Sequence, residues 1–204
     1  MIKQKLTKKL LHKEANIFAK AESNHQESSI FGITDGKAIG TYLEHKFQNY
    51  LSSKYQYIKG SSSKGIDFPE LFIDLKVTSI KQPQSSCPFR SARQKIFGLG
   101  YSLLIFVYEK NDNNSNKTGS LNIRHTIFVD DKKTGDFQTT SGLIKIIEND
   151  GNIDDIQKQI LAEEVLYNPP EIGYLTISNA LQWRLQYSRV IKKAGEIEGI
   201  NKIF

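Results

Sequence analysis

An α/β domain is the fold class this sequence predicts, with a sheet covered by helices and further helices packed at its C-terminal end. Three observations predict it. "YSLLIFVYE" (101–109) is nearly continuously apolar, and a strand without polar alternation is one covered on both faces. The stretch leading into it reads strand, helix, strand, with a length that suits a crossover unit. Residues 36–52 carry Ile39, Leu43, Phe47, Tyr50 and Leu51 at helical spacing. With 204 residues, 38% hydrophobic and 25% charged, the chain can bury a sizeable core. It shows no internal repeat and no clean boundary. A single domain over 1–204 is expected, with its core at about 36–130 and a helical region at about 140–204.

The elements follow in order. Residues 2–20 read as a basic amphipathic helix and 21–29 as a polar loop. Thr34 or Asp35 can cap the helix over 36–52. "YQYIKG" (55–60) reads as a strand, "SSSKG" (61–65) as a loop, and Ile66–Phe68 and Leu71–Thr78 as two short strands joined through Pro69. Within 82–100 a helix is expected, with Ser86 or Cys87 as cap, Pro88 in its first turn and Gly98 at its exit. Residues 111–120 read as a polar loop and 121–130 as a strand. Helices are expected at about 140–149, 153–166 and 176–199, with a break at 167–173.

No run of about 18 apolar residues is present to span a membrane, and the basic N-terminus lacks the apolar core of a secretion signal. The single cysteine, Cys87, rules out an internal disulfide and a multi-cysteine metal site. His12, His25, His45 and His125 show no ligand spacing, and a reducing cytoplasm fits best. The net charge is +6 with a pI near 9.2, which favours a polyanionic partner. The charge is also segregated. No acid lies between Lys76 and Lys95, or in 184–193, whereas 148–171 holds seven acids against Lys158 alone.

"KGIDFPELFIDLKVTS" (64–79) places Asp67, Asp74 and Lys76 inside an apolar stretch. Alternation over Leu71–Thr78 puts Leu71, Ile73, Leu75 and Val77 on one face and Phe72, Asp74, Lys76 and Thr78 on the other. If the chain turns at Phe68–Leu71, Asp67 returns beside Asp74. Two carboxylates and the Leu75 carbonyl then offer oxygen ligands to a hard cation such as Mg²⁺, and Lys76 stands ready for a phosphate or for the attacking water. Glu44, one turn after Gly40 on the preceding helix, can complete the set. The plainer alternatives are an edge hairpin with a solvated ion pair, and a surface glutamate.

The pattern Gly65-Ile66-Asp67 … Asp74-Leu75-Lys76 resembles the PD-(D/E)XK nuclease signature, with Ile66 in place of the usual proline. The order helix, three strands, helix, strand resembles that fold over roughly 36–109, and bacterial type II restriction endonucleases are the nearest likeness. "NPPEIGYLTISNALQWRLQYSRVI" is similar to the tail of some of them. The resemblance implies a restriction-endonuclease-like core, a mixed central sheet of about five strands flanked by helices. It implies Mg²⁺-dependent cleavage of double-stranded DNA leaving 5′-phosphate and 3′-hydroxyl ends. By position, Asp67 and Asp74 bind metal with the Leu75 carbonyl, Lys76 is the catalytic lysine, and Glu44 matches a helix carboxylate present in part of the family. Gln94 falls on the helix where several relatives keep a polar residue near the site.

For DNA contact the expected residues are Lys81, Arg90, Arg93, Gln94 and Lys95 beside the motif, and Ser62, Ser63 and Lys64 in the loop before Asp67. Arg184 and Arg189, within a stretch that also holds Gln182, Gln186 and Tyr187, are further candidates. The expectation is a type II restriction endonuclease of the bacterial cytoplasm. It would act as a homodimer matching palindromic sites, with Mg²⁺ and without an organic cofactor or a membrane. A repair or recombination nuclease of the same fold is the runner-up, and a non-catalytic DNA-binding module the third.

Overall fold

The computed structural model describes residues 3–60, 65–148, 173–177 and 184–204. In chain order these form β1 (Gln4–Lys5), α1 (Lys8–Ser23), β2 (Gln26–Glu27), α2 (Gly36–Lys54), β3 (Tyr55–Gln56), β4 (Ile73–Ser79), β5 (Gln84–Ser86) and α3 (Ala92–Phe97). There follow β6 (Ser102–Asn113), β7 (Thr118–Val129), α4 (Phe137–Glu148), β8 (Thr176–Ile177), β9 (Arg184–Gln186), α5 (Ser188–Lys193) and β10 (Ile200–Lys202). Five strands make the central sheet, in the order β10-β7-β6-β4 with β2 also on β7. β4 and β6 run parallel, and the other pairs are antiparallel, so the sheet is mixed as expected. Among the described strands none covers the outer side of β4, which is an open edge.

Each face of this sheet buries its own core. On one face Ile73, Leu75, Leu104, Phe106 and Phe128 meet Leu11, Ala15 and Phe18 of α1 and Ile39, Leu43, Phe47 and Leu51 of α2. On the other, Leu103, Ile105, Val107, Ile127 and Val129 meet Leu175, Leu185, Tyr187, Val190 and Ile200. That is why β6 is apolar without alternation: residues Ser102 to Tyr108 are all buried. Each large side chain sequestered in this way contributes about 1.5–3 kcal/mol.

Several boundaries differ from expectation, each for a physical reason. No strand forms over 66–68; a two-way backbone bridge between Phe68 and Ile73 closes a turn over Pro69–Leu71, so β4 begins only at Ile73. The predicted strand over 55–60 is only the two-residue β3. The helix expected from Ser86 or Cys87 starts at Ala92, capped by Ser91, because Ser86 belongs to β5. Most of the polar run 111–120 pairs in the β6–β7 hairpin, since ladder hydrogen bonds do not need apolar side chains. The long helix expected over 176–199 is, among the described residues, two short strands and the six-residue α5. β9 pairs between β5 and β8, and Gly195 and Gly199, both at φ +83°, turn the chain so that β10 can join β7. The helix expected over 153–166 lies outside the described residues.

One packing device was not anticipated. Two buried carboxylates of α1, Glu14 and Glu22, clamp α2 two helical turns apart. Glu14 accepts from Tyr50 at 2.5 Å, from Tyr55 at 2.8 Å and from Lys54 at 2.8 Å. Glu22 pairs with Lys46 at 2.8 Å, and Tyr42 donates to it at 3.4 Å. Burial alone raises the Glu14 pKa, but the hydrogen bonds from Lys54, Tyr50 and Tyr55 outweigh it and bring it down to about 2. A depressed pKa contributes stability that is present above the ordinary value of 4.5 and lost as pH falls through about 2. Glu14→Gln is therefore expected to lower the unfolding free energy at pH 7 by about 3 kcal/mol in urea titrations. The gap between the two proteins should narrow as pH drops from about 4.5 towards 2.

Candidate active site

Three pieces of chain meet at the open edge of β4. The first is the flank of α2. Asp35 caps this helix by accepting from the Lys37 and Ala38 amides, and its apolar stripe docks on the sheet. Beside the stripe, Glu44 and Gln48 stand one turn apart, with Gly40 a turn before them. A Cβ at Gly40 would stand 4.0 Å from that of Val77, so α2 lies close against β4 at this level.

The second piece is the arm before β4. Gly60 donates to the Asp67 carbonyl at 2.9 Å. A Cβ at Gly60 would fall 1.8 Å from the Ile66 carbonyl oxygen, so only glycine permits this approach. The Phe68–Ile73 bridge then reverses the chain, and Asp67 comes back alongside β4, as the sequence argument required. Its Oδ2 accepts from the Leu75 amide at 2.9 Å, and its Oδ1 accepts from Gln48 Nε2 at 2.9 Å.

The third piece is β4. Asp74 and Lys76 share a face, and Lys76 Nζ lies 2.8 Å from Asp74 Oδ2. The contact is a close ion pair without hydrogen-bond alignment, which leaves the buried Oδ2 with a charge partner but no donor. Thr78, next on this face, is closed off by β5: its hydroxyl oxygen accepts from the Gln84 amide at 2.9 Å. Behind β5 the fully buried Tyr187 has its hydroxyl 2.5 Å from that of Ser85. The charges are therefore floored by protein on one side, and no described strand covers the edge beside them.

Electrostatics tie the pieces together. Burial, then the Asp67 charge, pushes the Glu44 pKa up to about 7 against the pull of Lys76. Burial also raises Asp74, although Lys76 opposes it. Lys76 loses from burial but gains more from Asp74, with Tyr187 and Glu44 adding to it, and is held protonated. Among the described residues no three carboxylate, imidazole or thiol groups cage a cation unaided. A divalent cation such as Mg²⁺ needs only one or two carboxylates, the rest of its shell being water and phosphate. The donor set fits that demand. Asp74 Oδ2 lacks a hydrogen-bond donor, each Asp67 oxygen keeps a lone pair, and the Leu75 carbonyl points to the same edge as its amide.

The other expected residues are dispersed. Arg90 is exposed and reaches the arm, where a Cβ on Gly65 would meet its guanidinium at 3.6 Å. Arg93 is exposed and lies over the Phe97 ring, and Lys81 is exposed in the turn after β4. Gln94 serves its own helix: its side-chain oxygen accepts from the Arg90 amide at 2.8 Å and its amide points to the Leu99 carbonyl at 3.5 Å. Lys95 is half-buried and engaged, Arg184 is exposed on β9, and Arg189 stacks 3.3 Å from the centre of the Phe137 ring. Tyr187 is too deeply buried for groove contact, and Cys87 does not cap α3. Ser62, Ser63 and Lys64 lie outside the described residues. Gln48, which holds Asp67, went unrecognised. Its position one turn after Glu44 was the available signal.

A family model described as type II restriction enzyme NspV matches residues 5–202. The type II restriction enzyme NspV of Nostoc sp. (strain ATCC 29411 / PCC 7524) is 55% identical over 213 residues, covering 98% of this chain and 97% of its own. No solved structure matches.

A raised pKa means that stability from Glu44 is complete below its ordinary value of 4.5 and lost as pH rises through about 7. In the presence of a chelator, Glu44→Gln should melt several degrees above the unaltered protein at pH 8, with the difference vanishing towards pH 4.5. Equal melting temperatures at pH 8 would contradict this account of the site.

Proposed function

The chain belongs to the NspV family of type II restriction enzymes, and from that premise we propose that the edge of β4 is its PD-(D/E)XK-type centre for Mg²⁺-dependent hydrolysis of double-stranded DNA. The observation that carries this reading is the meeting of Asp67, held on the Leu75 amide, with the buried Asp74–Lys76 pair on a strand edge that no described strand covers. The mixed sheet with helices packed on it supports reading this region as a restriction-endonuclease-like core.

Asp67, Asp74 and the Leu75 carbonyl would hold Mg²⁺, with Glu44 as a further ligand or a neighbour. The bound ion would acidify water and neutralise charge building on the phosphate. The protein's own part can be followed atom by atom. Lys76, kept protonated by Asp74, donates to the phosphate or to the attacking water and offsets developing negative charge. It is not the base. Glu44, beside the Asp67 and Lys76 charges, is placed to take the proton that the water loses. Water oxygen bonds to phosphorus as the bond to the 3′ oxygen breaks, and that oxygen takes a proton from solvent water, leaving 5′-phosphate and 3′-hydroxyl ends. Gln48 keeps Asp67 turned to the edge, and the β5–Tyr187 floor keeps bulk water from the far side. Arg90, next to the arm, approaches backbone phosphate. Arg93, Lys81, Lys95, Arg184 and Arg189, with Gln94 and the loop residues Ser62, Ser63 and Lys64, would supply further contacts. A homodimer presents two such edges to the two strands of a palindromic site.

Incubation of a plasmid of known sequence with Mg²⁺, followed by end mapping, tests the whole proposal. Discrete fragments with 5′-phosphate ends are expected. Asp74→Ala or Lys76→Ala should reduce cleavage at least about 1000-fold while leaving DNA affinity within a few-fold, because metal chemistry and phosphate anchoring are separable. Undiminished cutting by either variant removes the assignment. Affinity should also fall steeply with salt, and Arg90→Ala should lower the slope of log K against log salt by about one.

A further inference from the structure

Phe72 is out of place by every rule that governs the rest of the chain. The alternation of β4 assigns it to the face of Asp74 and Lys76, yet it lies outside the strand, in the left-handed region at φ 53°, ψ 47°. Bulky side chains rarely adopt this conformation. The residue is 65% exposed, the most exposed large apolar residue among those described. The strained backbone is nonetheless firmly held. The Phe72 amide donates to the Pro69 carbonyl at 3.3 Å, the Phe72 carbonyl accepts from Ser102 at 2.9 Å, and the Phe68–Ile73 bridge closes around it. Neither packing nor backbone preference explains an aromatic residue here; glycine or asparagine would serve the turn better.

Its location supplies the reason. Two peptide units separate Phe72 from Asp74, so their Cα atoms stand within about 7 Å of each other. Phe72 precedes the open edge to which Asp67 and the Leu75 carbonyl are turned, and Arg90 reaches the arm that leads into the same turn. An exposed aromatic ring on a hydrogen-bonded backbone, two residues from Asp74, matches how proteins place an aromatic against a nucleotide base. We propose that the Phe72 ring packs against a base next to the scissile phosphodiester, and that the turn over Pro69–Leu71 keeps its left-handed backbone to hold the ring there. This rests on the DNA-cleaving centre proposed above.

The test compares Phe72→Ala, Phe72→Gly and Phe72→Trp with the unaltered enzyme on a mapped cleavage fragment. Cleavage by the unaltered enzyme is the control for the centre itself, so its failure is separable from failure of this inference. Phe72→Ala and Phe72→Gly should lose about tenfold or more in DNA affinity and in kcat/KM. Melting temperatures should be unchanged, or raised for glycine, whose backbone is relaxed there. The slope of log K against log salt should stay the same, because the lost contact carries no charge. Phe72→Trp should retain most of the affinity. Full kcat/KM in Phe72→Ala would overturn the proposal. So would dissociation of a dimer in that variant by sedimentation, which would assign the ring to a contact between two copies of the chain.

Discussion

The hydrogen bond from the Leu75 amide to the Asp67 carboxylate is the contact on which the rest of this site depends. A sheet edge exposes unpaired N–H and C=O groups, which invite another strand. Here a side chain answers one of those donors and no strand among those described covers β4. That donor is thereby satisfied without a covering strand. The same bond fixes where the arm runs and which way Asp67 faces, and the Leu75 carbonyl lies on the same edge as its amide. Gly60, the Phe68–Ile73 bridge and Gln48 all act to make that one contact possible.

The sheet explains why the charges sit where they do. Leu103 and Ile105, the β6 partners of Asp74 and Lys76, are fully buried in the second core. One strand outward, the same face carries an acid and a base. Burying a carboxylate is costly, and the raised pKa values of Asp74 and Glu44 record that cost. It is bearable only at the rim, where Lys76 compensates part of the charge and a cation and phosphate can compensate the remainder. Elsewhere the protein buries carboxylates on opposite terms. Glu14 is saturated by three donors from α2 and the turn after it, its pKa falls, and the result is a rigid clamp that holds α2, and hence Glu44 and Gln48, against β4.

How far the sequence reached can be judged residue by residue. β6 was legible because burial on both faces leaves a continuous apolar run, and α2 because its stripe keeps a 3.6-residue period. Asp67, Asp74 and Lys76 were legible because strand alternation is local and their spacing resembles a known nuclease pattern. The short strands β5, β8 and β9 were not, since two or three residues carry no period of their own. The C-terminal stretch was read as one helix for the same reason. A helix there would pack through Trp183, Leu185 and Val190, whereas Leu185 and Tyr187, two residues apart, suit a strand, and pairing of Arg184–Gln186 with β5 makes it one.

By itself, then, the sequence determined the chemistry available: which side chains are acids, which strand is buried, and which carboxylates can meet if the chain turns between them. Local geometry suffices for that, because alternation and helical period act over a few residues. Only the tertiary structure decided that the turn is made, that Gln48 and the Leu75 amide hold Asp67, that Tyr187 lies under the site, and that Phe72 stands in solvent beside it. Each of those is a contact between distant segments or a departure from local preference, and neither is written in the spacing of residues along the chain.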